Sequence, residues 1–508
     1  MSSVANRDPS AGEDAAARLT HWLERTGRAV ERVVETHLSV VAFTDDSVFK
    51  MKKPVRFSFC DLSTPDLRAL DARREVELNS RLAPDVYRGV AAVTDAAGSI
   101  VDTAVEMRRL DDSARLSSIA AEGRGLDCVL AVARRIGAFH REAERSHEAT
   151  AAATRDAFAA LWFTGFEQWQ RFRGDPLPDD VVERIEHLAR RFLTGREALF
   201  DARVRGGRAI DGHGDLLADD IFCEPGGPRI IDCLEFDTGL RVGDALLDIA
   251  FLAMDLEAIG RRDLAAALMS EYRSATGDDW PPNLEHHYVA YRAHVRAKVA
   301  CLRYEQGDDP SRALAVDRVR RCLDHLERGR VRMVLVGGLP GTGKSTIAAG
   351  LARQRDLSLL RSDEVRKETA SGAGDPGAGE EYGAGIYAEE RKRAIYEALL
   401  GRAAALLAGG NSVVVDATWN LAERRAAAQR VATATTADVV ELVCDAPAPL
   451  CRQRLLQRLL DGNDPSDASP AIYDEMQRQF DAWPSATPLD TSRSAGETLS
   501  GALAAFDG

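Results

Sequence analysis

The sequence predicts two consecutive domains of different class: an α+β domain with two lobes, then an α/β domain built on a doubly wound parallel sheet. Three observations lead to this prediction. At 508 residues the chain exceeds what one hydrophobic core normally serves. Its last third alternates apolar strands with helices, as parallel sheets require. Its first part starts with short alternating strands and continues as a long helical region.

The predicted organisation has three segments. Residues 1–14 are expected to form a disordered tail, because they lack a periodic apolar pattern. The α+β domain is expected over 15–328, with a small lobe at about 27–110 and a large lobe at about 111–328. The α/β domain is expected over 329–508.

Composition restricts the classes of function. The net charge of −14 argues against a nucleic-acid-binding surface as the main function, although a local basic patch stays open. The eight cysteines are scattered without C-x-x-C spacing, so neither a zinc site nor a disulfide framework is predicted. The N-terminus lacks the apolar core of a secretory signal, and no long apolar run predicts a transmembrane helix. We therefore expect a cytoplasmic protein without a membrane partner.

The small lobe is predicted from short strands around one helix. Segment 47–53 has period 2, so Lys50 and Lys52 project from the same face of a strand. A solvated basic edge strand would show the same pattern. Helices are predicted over 15–26 and 64–82, a helical pattern over 115–202, and strands over 36–54, 90–94 and 99–108.

Three aspartates after residue 210 form the most informative pattern of the first domain. Asp215 lies in a loop after His213, Asp220 lies five residues later, and Asp232 directly follows an apolar strand. One carboxylate can orient or deprotonate a hydroxyl group, and two can bind a divalent metal ion. Surface acids in two β-turns are the alternative, but this alternative explains poorly why Asp232 follows an apolar strand.

The helix predicted over 286–306 carries arginines beside its apolar face. Arg292, Arg296 and Arg303 flank that face. A solvated rim and an anionic-ligand site would both produce this pattern.

The second domain opens on a phosphate-binding pattern. The apolar run 333–336 predicts a buried strand, and the next residues fit G-x-x-x-x-G-K-S, with a helix starting near Lys344. Glycines allow successive N–H groups to turn toward phosphate oxygens, and the helix N-terminus adds positive charge. Lys344 can reach the β- and γ-phosphates, and the Ser345 hydroxyl can ligate Mg²⁺. The predicted nucleotide loop comprises Gly338, Leu339, Pro340, Gly341, Thr342, Gly343, Lys344, Ser345 and Thr346.

The rest of the α/β domain supplies further candidates. A strand over 412–416 ends in Asp416, which is a candidate anchor for Mg²⁺ or water. Residues 369–385 are rich in glycine and alanine and are expected to form a mobile loop or lid. Helix 450–460 bears several arginines. Pro484 is expected to end the last clear helix, with a loosely packed tail after it.

These residues carry two family resemblances. About 20–325 resembles the aminoglycoside phosphotransferase and choline kinase branch of the protein-kinase-like fold, through Lys50, the Arg74–Asn79 segment, His213–Leu216, Asp232 and Asp244 to Asp248. About 330–490 resembles P-loop kinases of the adenylate, gluconate and polynucleotide kinase and zeta-toxin type. The carriers there are the P-loop, Ser362-Asp363-x-x-Arg366, Asp416 to Thr418 and the helix 451–458. The whole chain resembles bacterial proteins that fuse these two modules.

The first resemblance implies roles for individual residues. Lys50, or Lys52 on the same face, would bridge the nucleotide phosphates and be held by Glu75. Asp215 would act on the acceptor hydroxyl, Asp220 and Asp232 would bind Mg²⁺, and Asp248 would brace the catalytic loop. The family pattern has asparagine where Asp220 stands and often a second histidine where Leu217 stands. These departures affect the expected substrate class.

The second resemblance implies a similar set. Lys344 and Ser345 would hold phosphates and metal, Asp363 would act as base, and Arg366 would hold the acceptor. Arg454 or Arg458 would be the lid arginine that neutralises charge on the transferred phosphoryl group.

The expected function is ATP- and Mg²⁺-dependent phosphoryl transfer to small hydroxylated acceptors by two modules. The first alternative is a regulatory nucleotide sensor whose kinase-like part is not catalytic. The second is a polynucleotide 5′-hydroxyl kinase, against which the acidic composition counts. The acceptors, the choice between ATP and GTP, and the oligomeric state are not encoded in readable motifs.

Overall fold

A computed structural model describes residues 9–56, 60–372, 386–461 and 470–508. Its contacts divide the chain into two compact units. The first unit comprises residues 1–161, 203–279 and 288–318, and the second comprises 162–202, 280–287 and 319–508. The sequence predicts a single domain boundary between residues 328 and 329, whereas each unit of the structure combines several separate segments of the chain. Within the described ranges, every helix is too short or too polar to span a lipid bilayer.

The helices of the described ranges are α1 (Pro9–Arg25), α2 (Pro65–Ser80), α3 (Leu116–Ala121), α4 (Leu126–Glu142), α5 (His147–Ala152), α6 (Arg155–Trp169), α7 (Asp179–Thr194), α8 (Glu197–Arg205), α9 (Ala245–Ala258), α10 (Arg262–Thr276), α11 (Pro282–Glu305), α12 (Pro310–Arg328), α13 (Lys344–Arg355), α14 (Ser362–Gly372), α15 (Ile386–Ala408), α16 (Ala422–Ala434), α17 (Ala448–Asp461), α18 (Pro470–Arg478) and α19 (Ala495–Asp507). The strands are β1 (Arg32–Glu35), β2 (Ser39–Phe43), β3 (Ser47–Lys52), β4 (Tyr87–Thr94), β5 (Ile100–Arg108), β6 (Ala209–Asp211), β7 (Ile221–Glu224), β8 (Gly227–Ile230), β9 (Val242–Asp244), β10 (Arg332–Gly337), β11 (Ser358–Arg361), β12 (Val413–Asp416), β13 (Asp438–Asp445) and β14 (Thr487–Asp490).

The first unit begins with a five-stranded antiparallel sheet in the order β1-β2-β3-β5-β4. Helix α2 packs against it, and Val48, Ala72 and Val105 share one buried cluster. The Thr64 side chain accepts a hydrogen bond from the Leu67 N–H, and Pro65 occupies the first turn, which together start α2. Burying one face of α2 on the sheet fixes the position of Glu75 below β3.

The remainder of the first unit is mainly helical. Helix α9 is apolar on all sides and almost wholly buried, as expected of a helix inside a lobe. Two small antiparallel pairs, β6 with β9 and β7 with β8, carry the loops that hold Asp215, Asp220 and Asp232. The predicted α+β class is confirmed, and the sheet of the small lobe is antiparallel.

The second unit contains a five-stranded sheet in the order β11-β12-β10-β13-β14, with every pair parallel. Central strand β10 is buried along its whole length, because both neighbours and both faces cover it. Ile347 and Leu351 of α13 and Phe506 of α19 pack in the same cluster as Val334. The predicted doubly wound α/β class is confirmed.

Several local predictions differ from the structure. Helix α1 begins at Pro9 rather than at residue 15, and residues 1–8 lie outside the described ranges. The prediction that a loose tail follows Pro484 is wrong: β14 completes the parallel sheet, and α19 starts with a capping box at Ser494 and Glu497. Most of the predicted lid, residues 373–385, lies outside the described ranges.

The cysteine prediction is also wrong for one pair. A disulfide joins Cys128 of α4 to Cys223 of β7, with their Cα atoms 5.7 Å apart. The two residues are 95 positions apart in sequence, so local spacing carries no signal of the pairing.

Candidate active sites

An ion cluster on β3 and α2 forms the first part of the site in the first unit. Lys50 Nζ lies 2.7 Å from Asp232 Oδ1 and 2.9 Å from Glu75 Oε1. Burial opposes the charge on Lys50, but the Asp232 and Glu75 carboxylates outweigh it and hold the pKa of Lys50 well above its usual range. Lys50 is therefore a fixed cation beside a candidate metal ligand.

Lys52 lies on the same face of β3 but has other partners. Its Nζ lies 3.1 Å from Glu75 Oε2 and 3.2 Å from Asp71 Oδ2, and it also contacts the Glu235 carboxylate. The Lys52 side chain is 3% exposed and the Lys50 side chain 16%. Glu75 thus gives one oxygen to each lysine, and of the two only Lys50 contacts Asp232. This arrangement favours Lys50 over Lys52 for the predicted phosphate-bridging role.

The loop that carries Asp215 is held by Asp248 in the first turn of α9. The backbone N–H groups of His213 and Gly214 each donate to the Asp248 carboxylate at 2.8 Å. A Cβ added at Gly212 would lie 2.7 Å from Asp248 Oδ2, so this approach requires glycine. These contacts provide the bracing that the resemblance implies for Asp248.

His140 holds Asp248 in turn, although no sequence pattern points to it. Its Nε2 lies 3.0 Å from Asp248 Oδ2, and its Nδ1 lies 2.8 Å from the Tyr272 hydroxyl. Although burial opposes ionisation of Asp248, the His140 hydrogen bond, the charge of His140 and the loop N–H groups hold the pKa of Asp248 well below its usual range. Neither α4 nor α10 carries a motif that would reveal this contact.

Asp215, Asp220 and Asp232 differ in their electrostatic surroundings. Burial raises the pKa of Asp215 to about 6, with Asp232 adding to the rise and Arg296 and Arg292 opposing it. Burial and the charges of Asp232 and Asp215 hold the pKa of Asp220 well above its usual range. The Lys50 ammonium, by contrast, lowers the pKa of Asp232.

The backbone brings two of these aspartates together. The Ile231 N–H donates to the Asp220 carbonyl at 3.0 Å, and Asp232 adopts a left-handed conformation with φ 63°. Hard carboxylate oxygens are suitable ligands for Mg²⁺, and a divalent cation would compensate the repulsion that raises the pKa of Asp220. The donor set at Asp220 and Asp232 therefore fits the predicted metal.

The nucleotide loop of the second unit follows β10. Gly338, Gly341 and Gly343 have φ values of 137°, 81° and 84°, in the region that favours glycine. A Cβ at Gly338 would lie 2.5 Å from the Cys444 carbonyl oxygen, and one at Gly341 would lie 2.6 Å from that of Cys451. Lys344 and Ser345 open α13, and Thr346 is exposed. The loop thus has the turn and helix N-terminus that anion binding requires.

Other side chains fix the shape of this loop. The Thr342 hydroxyl donates to the Leu339 carbonyl at 2.7 Å, and the Thr491 hydroxyl donates to the Thr342 carbonyl at 2.6 Å. One Arg454 nitrogen lies 3.4 Å from the Gly341 carbonyl, and another donates to the Thr491 carbonyl at 2.8 Å. Arg454 therefore lies beside the nucleotide loop. The side chain of Arg458, the other candidate, lies outside the described residues.

Asp416 ends β12 next to β10. It pairs in register with Val336, immediately before the nucleotide loop. Its Oδ2 lies 3.4 Å from Arg361 Nε, while its buried Oδ1 has no hydrogen-bond partner within the described part of the chain. A buried carboxylate oxygen without a partner is costly, and a Mg²⁺ ion or its water would satisfy it.

Asp363 and Arg366 lie in the first two turns of α14. The Arg366 guanidinium and the Asp363 carboxylate are 3.8 Å apart, at the i,i+3 spacing of a helix. Strand β11 delivers both residues to the same sheet edge as Asp416, because β11 and β12 are parallel neighbours. The structure therefore places the predicted acceptor residues at the edge that carries the nucleotide loop.

The chain matches one family profile and several relatives over most of their length. A family profile described as an AAA domain matches residues 333–483. Uncharacterized proteins of Mycobacterium tuberculosis and Mycobacterium bovis are each 39% identical over 473 residues, covering 92% of this chain and 94% of the relative. The chain belongs to the same family as these mycobacterial proteins. The match over 333–483 agrees with the predicted P-loop module.

Solved structures give weaker similarities. A sugar kinase from Janibacter is 21% identical and covers 35% of this chain and 95% of its own, with TM-score 0.27. The APS kinase of Mycobacterium tuberculosis is 23% identical and covers 35% and 99%, with TM-score 0.27. A choline/ethanolamine kinase family protein from Mesorhizobium loti is 15% identical and covers 62% and 94%, with TM-score 0.41.

Proposed function

We propose that the protein is an ATP- and Mg²⁺-dependent phosphotransferase with two kinase modules. Each module transfers the γ-phosphoryl group of ATP to a hydroxyl group of a small-molecule acceptor. The observation that carries this proposal is the Lys50, Glu75 and Asp232 ion cluster, with contacts of 2.7 and 2.9 Å, in a chain that also contains a complete nucleotide loop. Phosphoryl transfer depends mainly on positioning and on charge neutralisation, and these groups supply both.

In the first module the residues divide into a nucleotide side and an acceptor side. Lys50, held by Glu75, supplies positive charge for phosphate oxygens, and Asp220 and Asp232 would hold Mg²⁺, which neutralises charge on the phosphates. Asp215 orients the acceptor hydroxyl and takes its proton as the oxygen–phosphorus bond forms. A carboxyl group with a pKa near 6 is ionised at neutral pH and is a stronger base than an ordinary aspartate.

In the second module the backbone has a larger part. The N–H groups from Gly338 to Ser345 and the charge of Lys344 bind phosphate oxygens, and Ser345 with Asp416 would hold Mg²⁺. Asp363 acts as the base toward its acceptor and Arg366 binds that acceptor. Arg454, placed against the Gly341 carbonyl, supplies charge near the transferred group.

A phosphate-transfer screen on the full chain tests both modules. The wild type, Asp215→Ala and Lys344→Ala are each incubated with labelled ATP, Mg²⁺ and a library of sugars, amino sugars, sugar acids, polyols and nucleosides. We expect each variant to lose one set of products by about a hundredfold or more and to keep the other set, because the two sites use separate residues.

Matched variants separate lost chemistry from lost folding. Asp215→Asn and Lys344→Gln remove the charge with little change in size, and both should bind ATP while losing transfer. Unchanged transfer in Asp215→Ala, together with ATP binding at the first module, would favour the nucleotide sensor. Salt-sensitive binding and 5′-phosphorylation of single strands would favour the polynucleotide kinase.

A further inference from the structure

Two arginines lie one turn apart in the part of α11 that belongs to the first unit, from residue 288 onward. Arg292 is buried: its Nε donates to the Leu247 carbonyl at 3.0 Å, and its guanidinium lies 4.6 Å from the centre of the Phe251 ring. These contacts fix Arg292 against α9. Arg296 follows at i+4 and therefore continues the same helix face.

Arg296 has no such fixed contact. Its side chain is half-buried, and within the described residues it makes no hydrogen bond and no ion pair shorter than 4 Å. The contrast with Arg292 is informative, because a partly buried guanidinium loses hydration without gaining a partner. Such a group is suited to binding an anion that arrives from solution.

Arg292 holds α11 at Leu247, next to the Asp248 that accepts the N–H groups of the catalytic loop, so Arg296 one turn later lies near that loop. The charge of Arg296 acts on Asp215 and on Asp255, and Asp255 Oδ2 accepts the Ala218 N–H of that loop at 2.9 Å. The strongest cationic influence on Asp232 comes instead from Lys50, and that on Asp220 comes from Arg115. Lys50 thus acts on the candidate metal ligand Asp232, whereas Arg296 acts on the candidate base Asp215.

If Arg296 served only to neutralise the acidic catalytic loop, its position near Asp215 would be poorly explained. The Arg296 charge weakens Asp215 as a base, because it favours the ionised carboxylate. A cation that served only the fold would normally be paired, as Arg203 is with Asp244 and Asp278 at 2.7 Å in the same unit.

We infer that Arg296 binds an oxyanion of the acceptor, so that the first module phosphorylates a hydroxyl compound carrying a carboxylate or phosphate group. This inference rests on the proposed phosphotransferase function of the first module. In the reaction, the acceptor oxygen bonds to the γ-phosphorus, the bond from that phosphorus to the β-phosphate oxygen breaks, and the hydroxyl proton passes to Asp215. The bound oxyanion cancels the effect of Arg296 on Asp215 while the acceptor is in place.

Acceptor sets that share a carbon skeleton and differ in the charge of one substituent test the inference. One set is D-glucuronate, D-glucose and 6-amino-6-deoxy-D-glucose; a smaller set is glycerate, glycerol and 3-aminopropane-1,2-diol, with glycerol 3-phosphate as the phosphate arm. Transfer is measured on the full chain carrying Lys344→Gln, so that only the first module contributes. We expect the anionic member of a set to have a kcat/KM at least about tenfold above its neutral and amino counterparts.

Variants of Arg296 identify its part. Arg296→Gln should raise KM for the anionic acceptor about tenfold, with little change in kcat and none in KM for ATP, and Arg296→Lys should restore part of the affinity. Arg303→Gln is the matched control, because Arg303 lies exposed on the same helix. A fall in kcat for every acceptor and in melting temperature would indicate a structural role and overturn the inference.

The failures of the two proposals are distinguishable. Asp215-dependent transfer can prefer neutral or amino acceptors and stay unchanged in Arg296→Gln. That result overturns the proposal of an anionic acceptor but leaves the proposed phosphotransferase function intact. Absence of any Asp215-dependent transfer overturns the phosphotransferase function of the first module, and the anionic acceptor with it.

Discussion

The two candidate phosphate sites of this chain are built by different means. In the first unit a charge cluster of side chains, Lys50 with Glu75 and Asp232, forms the site, and Lys50 and Asp232 are 182 positions apart in sequence. In the second unit nine consecutive residues form a loop whose backbone N–H groups and helix terminus add positive potential to the charge of Lys344. The first site therefore depends on the packing of a whole lobe, and the second depends on local backbone conformation.

This difference has consequences for mutation. A side-chain site contains cations and carboxylates that also hold the lobe together, so catalytic and structural charges lie next to each other. A backbone site depends instead on glycines, and any side chain added there meets neighbouring carbonyl groups. Single substitutions should thus break the first site through charge and the second through sterics.

The largest effects are expected from the two lysines of β3. Lys50→Met should lower Asp215-dependent transfer by about a hundredfold or more with little loss of stability, because Asp232 is half-exposed and water can solvate it. Lys52→Met should instead destabilise the first unit by about 3–5 kcal/mol, because it leaves Asp71, Glu75 and Glu235 buried without their shared cation. Transfer assays and thermal melting of the full chain measure the two quantities.

Charge-conserving substitutions are the control that separates the roles of Lys50 and Lys52. Lys52→Arg keeps the cation and should recover most of the lost stability, whereas Lys50→Arg should stay poorly active because a planar guanidinium replaces a compact ammonium. Lys52→Met with normal stability and no transfer, beside an active Lys50→Met, would reverse the roles of the two residues.

The same difference explains what could be predicted from the sequence. The nucleotide loop is local, so its residues, its strand and the start of α13 at Lys344 were all predictable. The period of strand β3 predicts that Lys50 and Lys52 share one face, but it does not show which of them has the phosphate-bridging role. That distinction depends on Asp232 and Glu235, which contact the lysines only through tertiary packing. His140 and the Cys128–Cys223 pair were missed for the same reason, since each contact joins distant segments.

A smaller effect is expected from Gly338→Ala in the second unit. The new Cβ would meet the Cys444 carbonyl at 2.5 Å and would require a backbone conformation that alanine rarely adopts. We expect Lys344-dependent transfer to fall by about ten- to a hundredfold through weaker nucleotide binding, while Asp215-dependent transfer is unchanged. Steady-state kinetics with varied ATP measures the effect.

Gly401→Ala provides the matched glycine control. A Cβ at this position of α15 meets no atom within 4 Å. Alanine should therefore stabilise the helix by up to about 1 kcal/mol and leave both activities intact. A nucleotide KM that is unchanged in Gly338→Ala would contradict the view that backbone conformation determines the second site.

The smallest effect concerns the pH dependence of the first site. Asp215 must be ionised to accept a proton, and burial raises its pKa to about 6. The kcat/KM of the first module should therefore be constant above about pH 6 and fall by about tenfold per pH unit below it.

The charges around Asp215 also affect this inflection, because Asp232 and Asp255 raise the pKa of Asp215, and Arg296 and Arg292 lower it. Arg296→Gln removes one opposing cation and should move the inflection to higher pH, whereas Arg303→Gln should leave it in place. An inflection near pH 4 in the wild type would contradict the raised pKa of Asp215, because an ordinary aspartate titrates there.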